Sequence, residues 1–401
     1  MIRRHPGRTA WTCILLSGCG AARTGPDAVQ FRDSAGIEIV ASAAPNQPGP
    51  FTIDSLPEID IGRDTADPRQ LFRSSYLSAH VLSDGRIVAA GWGTQELRVF
   101  DSTGKSLETI GRIGAGPGEF EGFGWVFVGS GDTLYTFEPF NRRAQVFAPD
   151  GRFLRFRTVT SSRIGGFPWG KGVLADGSVL FTSTPPTGKP RAPGLVRPPT
   201  NLLRYRPDGG DVDSLGTAPG KEGAFALLGK MELWYERPFG RTTLVAVTGT
   251  KIYVAPTDRF EIAVHDSSGR LLRLIRRAIA PQRVPAAEAD SMLADYINGL
   301  GAEYREAGRR ALSSIAGPAT KPAFQNLVVG SDGSIWVEHY NEPVHGPTVA
   351  SVFDSTGALR GEVTLPPGLG LLQVGPGFVL GTWQDADGAA HIRRHRLRGR
   401  I

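Results

Sequence analysis

Short runs of alternating apolar and polar residues, each opened by a two-residue turn signal, recur along the 401-residue chain. Period-two alternation over about five residues is typical of β-strands, and Asp-Gly pairs between such runs are typical of tight turns. The unit occurs six times, at residues 84–88, 131–135, 176–180, 248–253, 332–336 and 376–380. The pattern therefore predicts a repeat protein built of short strands.

A second alternating run follows each copy and, in all but the last, closes on another turn. The interval between the apolar residues that lead the two runs is 12 residues in the copies containing Ile87, Leu134 and Ile252. Composition agrees with this regular spacing, because 52 Gly and 30 Pro supply many turns. Meanders of four short antiparallel strands, repeated around an axis, make a β-propeller. We therefore expect an all-β, six-bladed β-propeller over residues 51–401.

A closed ring is expected to build one blade from both ends of the chain, because an open ring leaves unpaired sheet edges. The last repeat stops after its third strand. Residues 58–62 echo residues 108–111, which leave the first blade. Residues 58–62 are therefore predicted to supply the missing outer strand of the last blade. The Pro-rich segment 185–199 and the region from Pro343 to Pro347 are expected to be insertions between strands.

Residues 286–316 change to helical spacing. Their apolar positions, from Met292 to Ile315, recur every three or four residues, with charged residues opposite. The sequence predicts a small helical insertion between blades 4 and 5, broken near residues 299–301. Such a stripe usually packs on the propeller itself, and the alternatives are a lid over the channel mouth or a docking helix.

The second repeat resembles a known family pattern. Residues 110–120, followed by 132–135 and 142–151, are similar to the NHL repeat, and the chain from about residue 50 onward resembles the bacterial six-bladed β-propeller lipoproteins. The resemblance implies the propeller fold. It does not imply one activity, because this architecture hosts lactonases, lyases, quinoprotein dehydrogenases and interaction platforms.

The first twenty residues are organised like an export signal. Three arginines lie within the first eight residues, a short apolar run follows, and residues 16–19 (Leu-Ser-Gly-Cys) resemble the bacterial lipobox. The resemblance implies a signal peptide at residues 1–18, lipidation of Cys19, and a lipid-anchored tether at residues 19–50. Several acyl chains on Cys19 would give a stable anchor. By analogy with such lipoproteins, Gly20 in place of Asp implies export to the outer membrane of the cell envelope. The alternatives are an ordinary secretory signal or a misannotated start.

Charge and cysteine content exclude several classes of protein. The formal net charge is +6, and it falls by half when the three signal arginines are removed. Nucleic acid is therefore not an expected partner, since it requires a concentrated basic surface. Cys13 and Cys19 are the two cysteines, so the mature body has no internal disulfide or thiolate metal site. No apolar stretch approaches the roughly 18 residues of a membrane helix, and we expect a monomer.

Short catalytic signatures such as Gly-x-Ser-x-Gly or His-Glu-x-x-His are absent. An enzyme stays possible, because a propeller assembles its site from several blades. His391 and His395 would lie about 13 Å apart on a strand, which is too far for a joint metal site. His80 and His339 are predicted in or beside strands and could face the channel, although structural histidines are more common.

Four further features each have a functional and a structural interpretation. The arginines of residues 393–400 could contact anionic lipid or polysaccharide, or protect a sheet edge. Residues 385–388 resemble the start of a calcium loop, but the distal Glu is missing, so a hairpin turn is expected. Trp92 and Trp383 could stack on sugars, but packing is favoured. Residues 114–118 could cradle an anion, or simply turn between blades.

Two functions stay open at this stage. The first is an exported, lipid-anchored module that binds a protein, peptide or glycan at the propeller face. The second is a hydrolase, lactonase or lyase that holds a divalent cation such as calcium in the central channel. The second would require several Asp, Glu, Asn or His side chains converging on the channel axis. The sequence identifies no catalytic or metal-binding residue, and Cys19 is its one assigned site.

Overall fold

The structure, a computed structural model, describes residues 29–43, 48–72, 77–91, 94–122, 124–184, 194–206, 212–341 and 347–399. The predicted signal peptide, Cys13, Cys19, Trp92, Pro343 and most of the Pro-rich segment lie outside these ranges. The predictions made for them stay predictions.

Six antiparallel sheets follow one another along the chain, one per predicted repeat. Blade 1 consists of Leu77–Val81, Ile87–Gly91, Leu97–Phe100 and Ser106–Ile110. Blade 2 consists of Trp125–Val128, Leu134–Glu138, Arg143–Phe147 and Phe153–Thr158. Blade 3 consists of Trp169–Val173, Val179–Ser183, Pro199–Tyr205 and Asp213–Pro219. Blade 4 contains Thr243–Thr248, Lys251–Pro256, Glu261–Asp266 and Leu271–Arg277. Blade 5 consists of Phe324–Val329, Ile335–His339, Val349–Phe353 and Leu359–Thr364, and blade 6 begins with Gly370–Gly375, Phe378–Gln384 and Ala390–Gly399.

The first strand of every blade is its inner strand, and these six strands form a closed ring. Each inner strand contacts the inner strand of the next blade, and that of blade 6 contacts that of blade 1. The ring is fastened by the N-terminal part of the chain, since Ile59–Ile61 pairs with residues 392–394 of the last strand. The predicted six-bladed propeller and the predicted closing strand are both confirmed. Phe51–Ile53 adds a further pairing to the same last strand.

A repeated aromatic position explains how the blades pack. Phe100, Phe147 and Phe353 each end the third strand of a blade and are almost completely buried, and Tyr205 takes the same place in blade 3. Each ring joins a core cluster shared with the preceding blade. Burying an aromatic side chain stabilises the fold by about 2 to 3 kcal/mol. The repeating Val-Phe pairs of the sequence are thus the apolar wedges between blades.

The predicted tether is partly structured. Val29–Ser34 and Ile37–Ser42 form a hairpin whose second strand pairs in parallel with the outer strand of blade 4. Arg273 of that outer strand donates to Glu38 at 2.6 Å. Blade 4 therefore becomes a six-stranded sheet. After this hairpin the chain continues to the two segments that pair with the last strand of blade 6.

Helices α1 (Ala286–Gly299) and α2 (Ala302–Ser313) lie between blades 4 and 5, as predicted, with the expected break at residues 300–301. They pack against a hairpin of Gly223–Leu228 and Met231–Glu236, which lies between blades 3 and 4. Their shared core is Ala224, Tyr235, Ile297, Ala307, Ala311 and Leu312. The apolar stripe therefore finds its main partner in this hairpin rather than in a blade. We call the hairpin and the two helices the cap.

The cap lies on one defined face of the ring. Because strands within a blade alternate in direction, each outer strand ends on the face where the next inner strand begins. Both cap segments are such connections, and we call this the upper face. Among the helices that the structure describes, none is long and apolar enough to cross a membrane.

Candidate functional site

Four aromatic side chains form a cluster at the upper mouth of the channel. Trp125 and Trp169 open the inner strands of blades 2 and 3, and their ring centroids lie 5.3 Å apart. Phe167 lies 5.1 Å from Trp169 and 5.2 Å from Phe140, centroid to centroid. Trp169 is 41% exposed and Phe140 is 72% exposed. We call these four residues the aromatic cluster.

The cluster results from the ring architecture. Adjacent inner strands begin side by side, so their first residues meet at the upper face although 44 positions separate Trp125 from Trp169. Phe140 lies between the second and third strands of blade 2, where the chain turns on the same face. Large exposed aromatic groups that touch one another are typical of binding surfaces, because their apolar area stays in contact with water until a ligand covers it.

Lys171 lies directly below Trp169 on the inner strand of blade 3. The strand carries a β-bulge, in which Gly170 pairs with Phe181 and Gly172 pairs with Leu180, leaving Lys171 as the extra residue. A Cβ on Gly170 would lie 2.8 Å from the Phe127 ring of blade 2. On Gly172 it would lie 2.9 Å from the Val247 side chain of blade 4. These close approaches require glycine on both sides of Lys171, and the bulge leaves Lys171 outside the regular strand pairing.

The ammonium group of Lys171 has no protein partner. Within the described part of the chain it forms neither a salt bridge nor a hydrogen bond, and its side chain is half-buried. Burial, together with the positive charge of Lys221, lowers the pKa of the Lys171 side chain from 10.5 to about 8. A buried cation without a counter-ion lowers the stability of the folded protein. Such groups are therefore found mainly at functional sites.

All six inner strands lie within the described ranges, and none of them contains Asp or Glu. Their polar side chains mostly bind the neighbouring inner strand. Nε2 of His80 lies 3.1 Å from the carbonyl oxygen of Val126, and Gln373 accepts from the Val81 amide at 2.7 Å. Across the residues that the structure describes, no three His, Cys, Asp or Glu side chains come close enough to hold a metal ion. The inner strands therefore offer amide and backbone oxygens, but no carboxylate, as ligands for calcium.

A cavity of about 650 Å³ lies on the upper face between blades 4 and 5, beside the N-terminal hairpin. Its cationic side chains are largely committed to carboxylates. Arg259 and Arg276 each donate to Glu261 at 2.6 Å, and Lys321 donates to Glu288 at 2.5 Å. This cavity is a polar seam that joins the hairpin to two blades.

A buried polar group at the base of this seam includes His339, Ser351, Glu362 and Arg277. Nε2 of His339 lies 2.6 Å from Oγ of Ser351 and 3.7 Å from Oε1 of Glu362, and Arg277 pairs with Glu362 at 2.7 Å. A nucleophilic triad requires the acid and the hydroxyl on opposite ring nitrogens. Here both face the same nitrogen, and Ser351 is fully buried. The group holds blades 4 and 5 together and is not a nucleophilic site.

A smaller cavity of about 260 Å³ lies under the cap. Lys221 and Tyr296 line it from the cap side, and Phe324 and Gln325 line it from the inner strand of blade 5. Tyr296 also accepts a hydrogen bond from the Glu236 amide at 2.9 Å. The cap therefore lies next to the channel mouth on the side of blades 4 and 5. The aromatic cluster lies on the side of blades 2 and 3.

The histidines and arginines of the last strand serve ring closure. Nδ1 of His391 lies 2.6 Å from Asp60, and Nδ1 of His395 lies 2.9 Å from the carbonyl oxygen of Asp54. The two histidines have separate partners and do not form a joint site. The arginines at positions 393, 394, 396 and 398 pair with Asp60, Glu58, Glu58 and Asp54 respectively. These arginines therefore lie along a sheet edge, as expected, and they also bind the carboxylates of the N-terminal residues that close the ring.

Trp383 and residues 385–388 are structural, as favoured from the sequence. The guanidinium of Arg393 lies 3.3 Å from the Trp383 ring centroid, and His391 packs edge-on to the same ring. Oδ1 of Asp385 accepts from the amides of Asp387 at 3.0 Å and Ala389 at 2.8 Å, which makes an ordinary hairpin turn.

The glycine-rich turn of residues 114–118 already holds an anion of the protein itself. The amide of Gly116 donates to the Glu119 carboxylate at 2.9 Å, and the amide of Gly118 donates to Gln145 at 3.0 Å. Arg143 donates to the Ala115 carbonyl at 2.6 Å. These bonds use the donors that an external anion would need, so the turn is a blade connection.

Sequence reasoning did not single out the aromatic cluster or Lys171. The repeats were recognised from the turn that opens the second strand of each blade, so the inner strands were not placed. The Trp-Gly-Lys-Gly run at residues 169–172 was the available signal, because two glycines in a strand indicate a bulge or a close backbone approach.

Comparisons with known proteins identify the fold class. No protein-family model matches this chain, and no match was found among the curated proteins. Several solved structures are similar to this chain in overall fold. A member of the DUF4221 family from Bacteroides vulgatus is 10% identical, with 88% of this chain and 100% of that chain covered and a TM-score of 0.52. A protein assigned as exported in Bacteroides fragilis is 11% identical, with coverages of 90% and 100% and a TM-score of 0.50.

A gluconolactonase from Xanthomonas campestris is also similar, at 15% identity and a TM-score of 0.42 over 88% of this chain and 99% of that chain. At these identities the likeness concerns the fold alone. The chain is a six-bladed β-propeller, a class whose function depends on the site that each member carries.

Proposed function

We propose that this protein is an exported, lipid-anchored binding module of the bacterial cell envelope, which takes a protein, peptide or glycan at the upper mouth of its propeller. The observation that carries the proposal is the exposed aromatic cluster at the channel mouth. A ligand that covers Trp169 and Phe140 would remove about a hundred Å² of apolar surface from water, which contributes about 2 to 3 kcal/mol to binding. Polar contacts would have to supply most of the roughly 8 kcal/mol of a micromolar complex.

The composition of the channel supports binding over metal-dependent hydrolysis. Calcium favours carboxylate ligands, whereas the inner strands carry Lys171, His80, Gln325, Asn326 and Gln373 but no Asp or Glu. The NHL-like pattern of blade 2 is compatible with an interaction platform. No observation favours the hydrolase, lactonase or lyase alternative in particular.

The proposed location in the cell envelope is inferred from the N-terminal segment. The lipobox-like sequence ending at Cys19 would place an acylated cysteine ten residues before the first strand at Val29. Since this short link leaves the propeller near the membrane surface, its upper face would meet envelope glycans and proteins. The exported assignment of the Bacteroides fragilis protein agrees with this address.

The binding proposal is tested by screening purified protein on glycan and peptide arrays, followed by titration of the hits. We expect at least one class of ligand to bind, and Trp169→Ala to weaken it about tenfold or more. Phe31→Ala is the matched control, because Phe31 is 53% exposed on the N-terminal hairpin, away from the channel mouth. Equal binding by wild type and Trp169→Ala would overturn the assignment of the site, and the absence of hits on both arrays would overturn the function.

The anchor is tested separately in bacterial cells. We expect the wild-type protein in the membrane fraction with the mass of an acylated Cys19, and Cys19→Ala as a soluble or unprocessed form. If Cys19→Ala stays in the membrane fraction with unchanged mass, the lipid anchor is wrong, whatever the arrays show.

A further inference from the structure

We propose that the upper mouth binds an acidic sugar, whose ring stacks on Trp169 and whose carboxylate pairs with Lys171. This inference rests on the proposed function and adds the charge and chemical class of the ligand.

The geometry places a ring-binding group and a cation at a suitable separation. Trp169 opens the inner strand of blade 3, and Lys171 follows two residues deeper, which corresponds to about 6 to 7 Å along a strand. The β-bulge leaves Lys171 without a pairing partner on the neighbouring strand, and its side chain is only partly buried. A sugar ring against the exposed Trp169 face would therefore carry a ring carboxylate toward the ammonium group.

The strands that pack around Lys171 carry no negative charge. The inner strands of blades 2 and 4 and the second strand of blade 3 pack around it, and none of these three carries a charged residue. Lys221, on the connection that leaves blade 3, is the charge that acts on Lys171 within the described residues. It is also positive, and it pairs with Glu236 of the cap hairpin at 2.5 Å. A ligand carboxylate would supply the counter-ion that the protein does not.

The other groups at the mouth suit a polyhydroxylated ligand. Each inner strand is paired on one side only. Side chains already bind some backbone groups of its second edge, such as the N–H and C=O of Val126, and the remaining groups are available to a ligand. Hydroxyl groups both donate and accept, and can use either kind of backbone group. The aromatic cluster offers ring faces rather than alternating side-chain pockets, which favours a ligand built of rings over an extended peptide.

Binding should depend on the protonation of Lys171. Because its pKa is about 8 in the free protein, the ammonium is mostly charged at pH 7 and is lost above pH 8. A bound carboxylate stabilises the charged form, so affinity for an acidic sugar should be level below pH 7 and fall as the pH rises through 8 to 9.

The test is calorimetric titration with three probes, namely trigalacturonic acid, the neutral trisaccharide of galactose, and triglutamate. The proteins are wild type, Lys171→Met and Lys171→Arg, each checked for folding by circular dichroism. We expect wild type to bind trigalacturonic acid about tenfold or more tightly than the neutral sugar. Lys171→Met should lose this preference, and Lys171→Arg should keep it and remove the decline between pH 7 and 9.

The outcomes separate the inference from the proposed function. If the acidic and neutral sugars bind wild type equally and Lys171→Met changes neither, the acidic-sugar inference is wrong while the binding function stands. If triglutamate binds more tightly than trigalacturonic acid, the ligand class is wrong. If none of the probes binds, the inference is wrong, and the arrays alone decide the proposed function. Should Lys171→Met not fold, the pH profiles of wild type and Lys171→Arg still decide the matter.

Discussion

Nδ1 of His391 lies 2.6 Å from Oδ1 of Asp60, although 331 positions separate the two residues along the chain. Asp60 also accepts from Arg393 at 3.0 Å. Both bonds join the closing strand to the last strand, between the buried side chains of Ile59 and Ile61. The carboxylate of Asp60, on the closing strand, therefore binds two side chains of the last strand, and this contact helps to close the ring.

Replacing Asp60 by alanine should open this contact. We expect Asp60→Ala to lower the free energy of unfolding by about 2 to 4 kcal/mol, because it leaves His391 and Arg393 largely buried without their partner. Urea denaturation measures this change. Asp387→Ala, on an exposed turn of the same blade, is the control and should change stability by less than about 0.5 kcal/mol. Equal urea midpoints for the two variants would show that Asp60 does not close the ring.

Lys171 should lower the stability of the free protein. Its pKa is lowered by burial to about 8, whereas the unfolded chain holds the same proton up to about pH 10.4. The unfolded state therefore binds more protons between these values, and the free energy of unfolding should rise with pH across that window. At pH 7, Lys171→Met should be more stable than wild type by about 1 to 3 kcal/mol, since it removes the unpaired charge.

Thermal and urea denaturation at pH 7 and 10 measure the effect of Lys171→Met. Lys230→Met is the control, because Lys230 is exposed on the turn of the cap hairpin. A structural lysine would give the opposite result, namely loss of stability on substitution. A gain in stability combined with a loss of ligand binding is the combination expected of a binding residue.

His80 should make the protein less stable in mild acid. Burial lowers its pKa to about 4, although the hydrogen bond with the Val126 carbonyl acts in the opposite direction. The unfolded chain takes up this proton near pH 6.5, so stability present at pH 7 is lost as the pH falls toward 4. His80→Gln keeps a side-chain donor for Val126 and should reduce the loss between pH 7 and 4 by about 2 to 3 kcal/mol.

Urea denaturation of wild type and His80→Gln at several pH values measures this difference. Parallel stability curves for the two proteins would show that another group causes the acid sensitivity. His265→Gln provides a comparison, because burial also lowers the pKa of His265, which lies on the third strand of blade 4 rather than on an inner strand.

Gly308 should be required for the cap to assemble. A Cβ at this position of α2 would lie 2.8 Å from the Tyr235 ring of the cap hairpin and 2.9 Å from the Leu300 side chain. Gly308→Val should therefore separate α2 from the hairpin and cost about 1 to 3 kcal/mol. Gly299→Ala is the matched control, since no atom lies within 4 Å of its added Cβ.

Limited proteolysis of residues 286–313 and the thermal midpoint measure the effect of Gly308→Val. We expect faster cleavage in α1 and α2 while the blades stay intact. Equal cleavage of Gly308→Val and Gly299→Ala would mean that α2 does not pack on the hairpin through this contact.

The fold was predictable from the sequence because its information is local. Each blade is encoded by strands of about five residues and by turns whose Asp side chains bind their own backbone, as Asp101 and Asp354 do at 2.9 Å to the amides two residues ahead. The helical insertion was visible for the same reason. The closing strand was predictable because residues 58–62 repeat a blade-ending pattern found elsewhere in the chain.

The candidate site depends on contacts between blades, which no local pattern encodes. Trp125 and Trp169 become neighbours only because two inner strands begin side by side around the channel. Lys171 is isolated because Phe127 and Val247, from two other blades, occupy the space beside Gly170 and Gly172. Hydrophobic periodicity and turn chemistry thus specify how many blades form, whereas the assembled ring decides which side chains share the mouth, because long-range packing sets burial and charge environment.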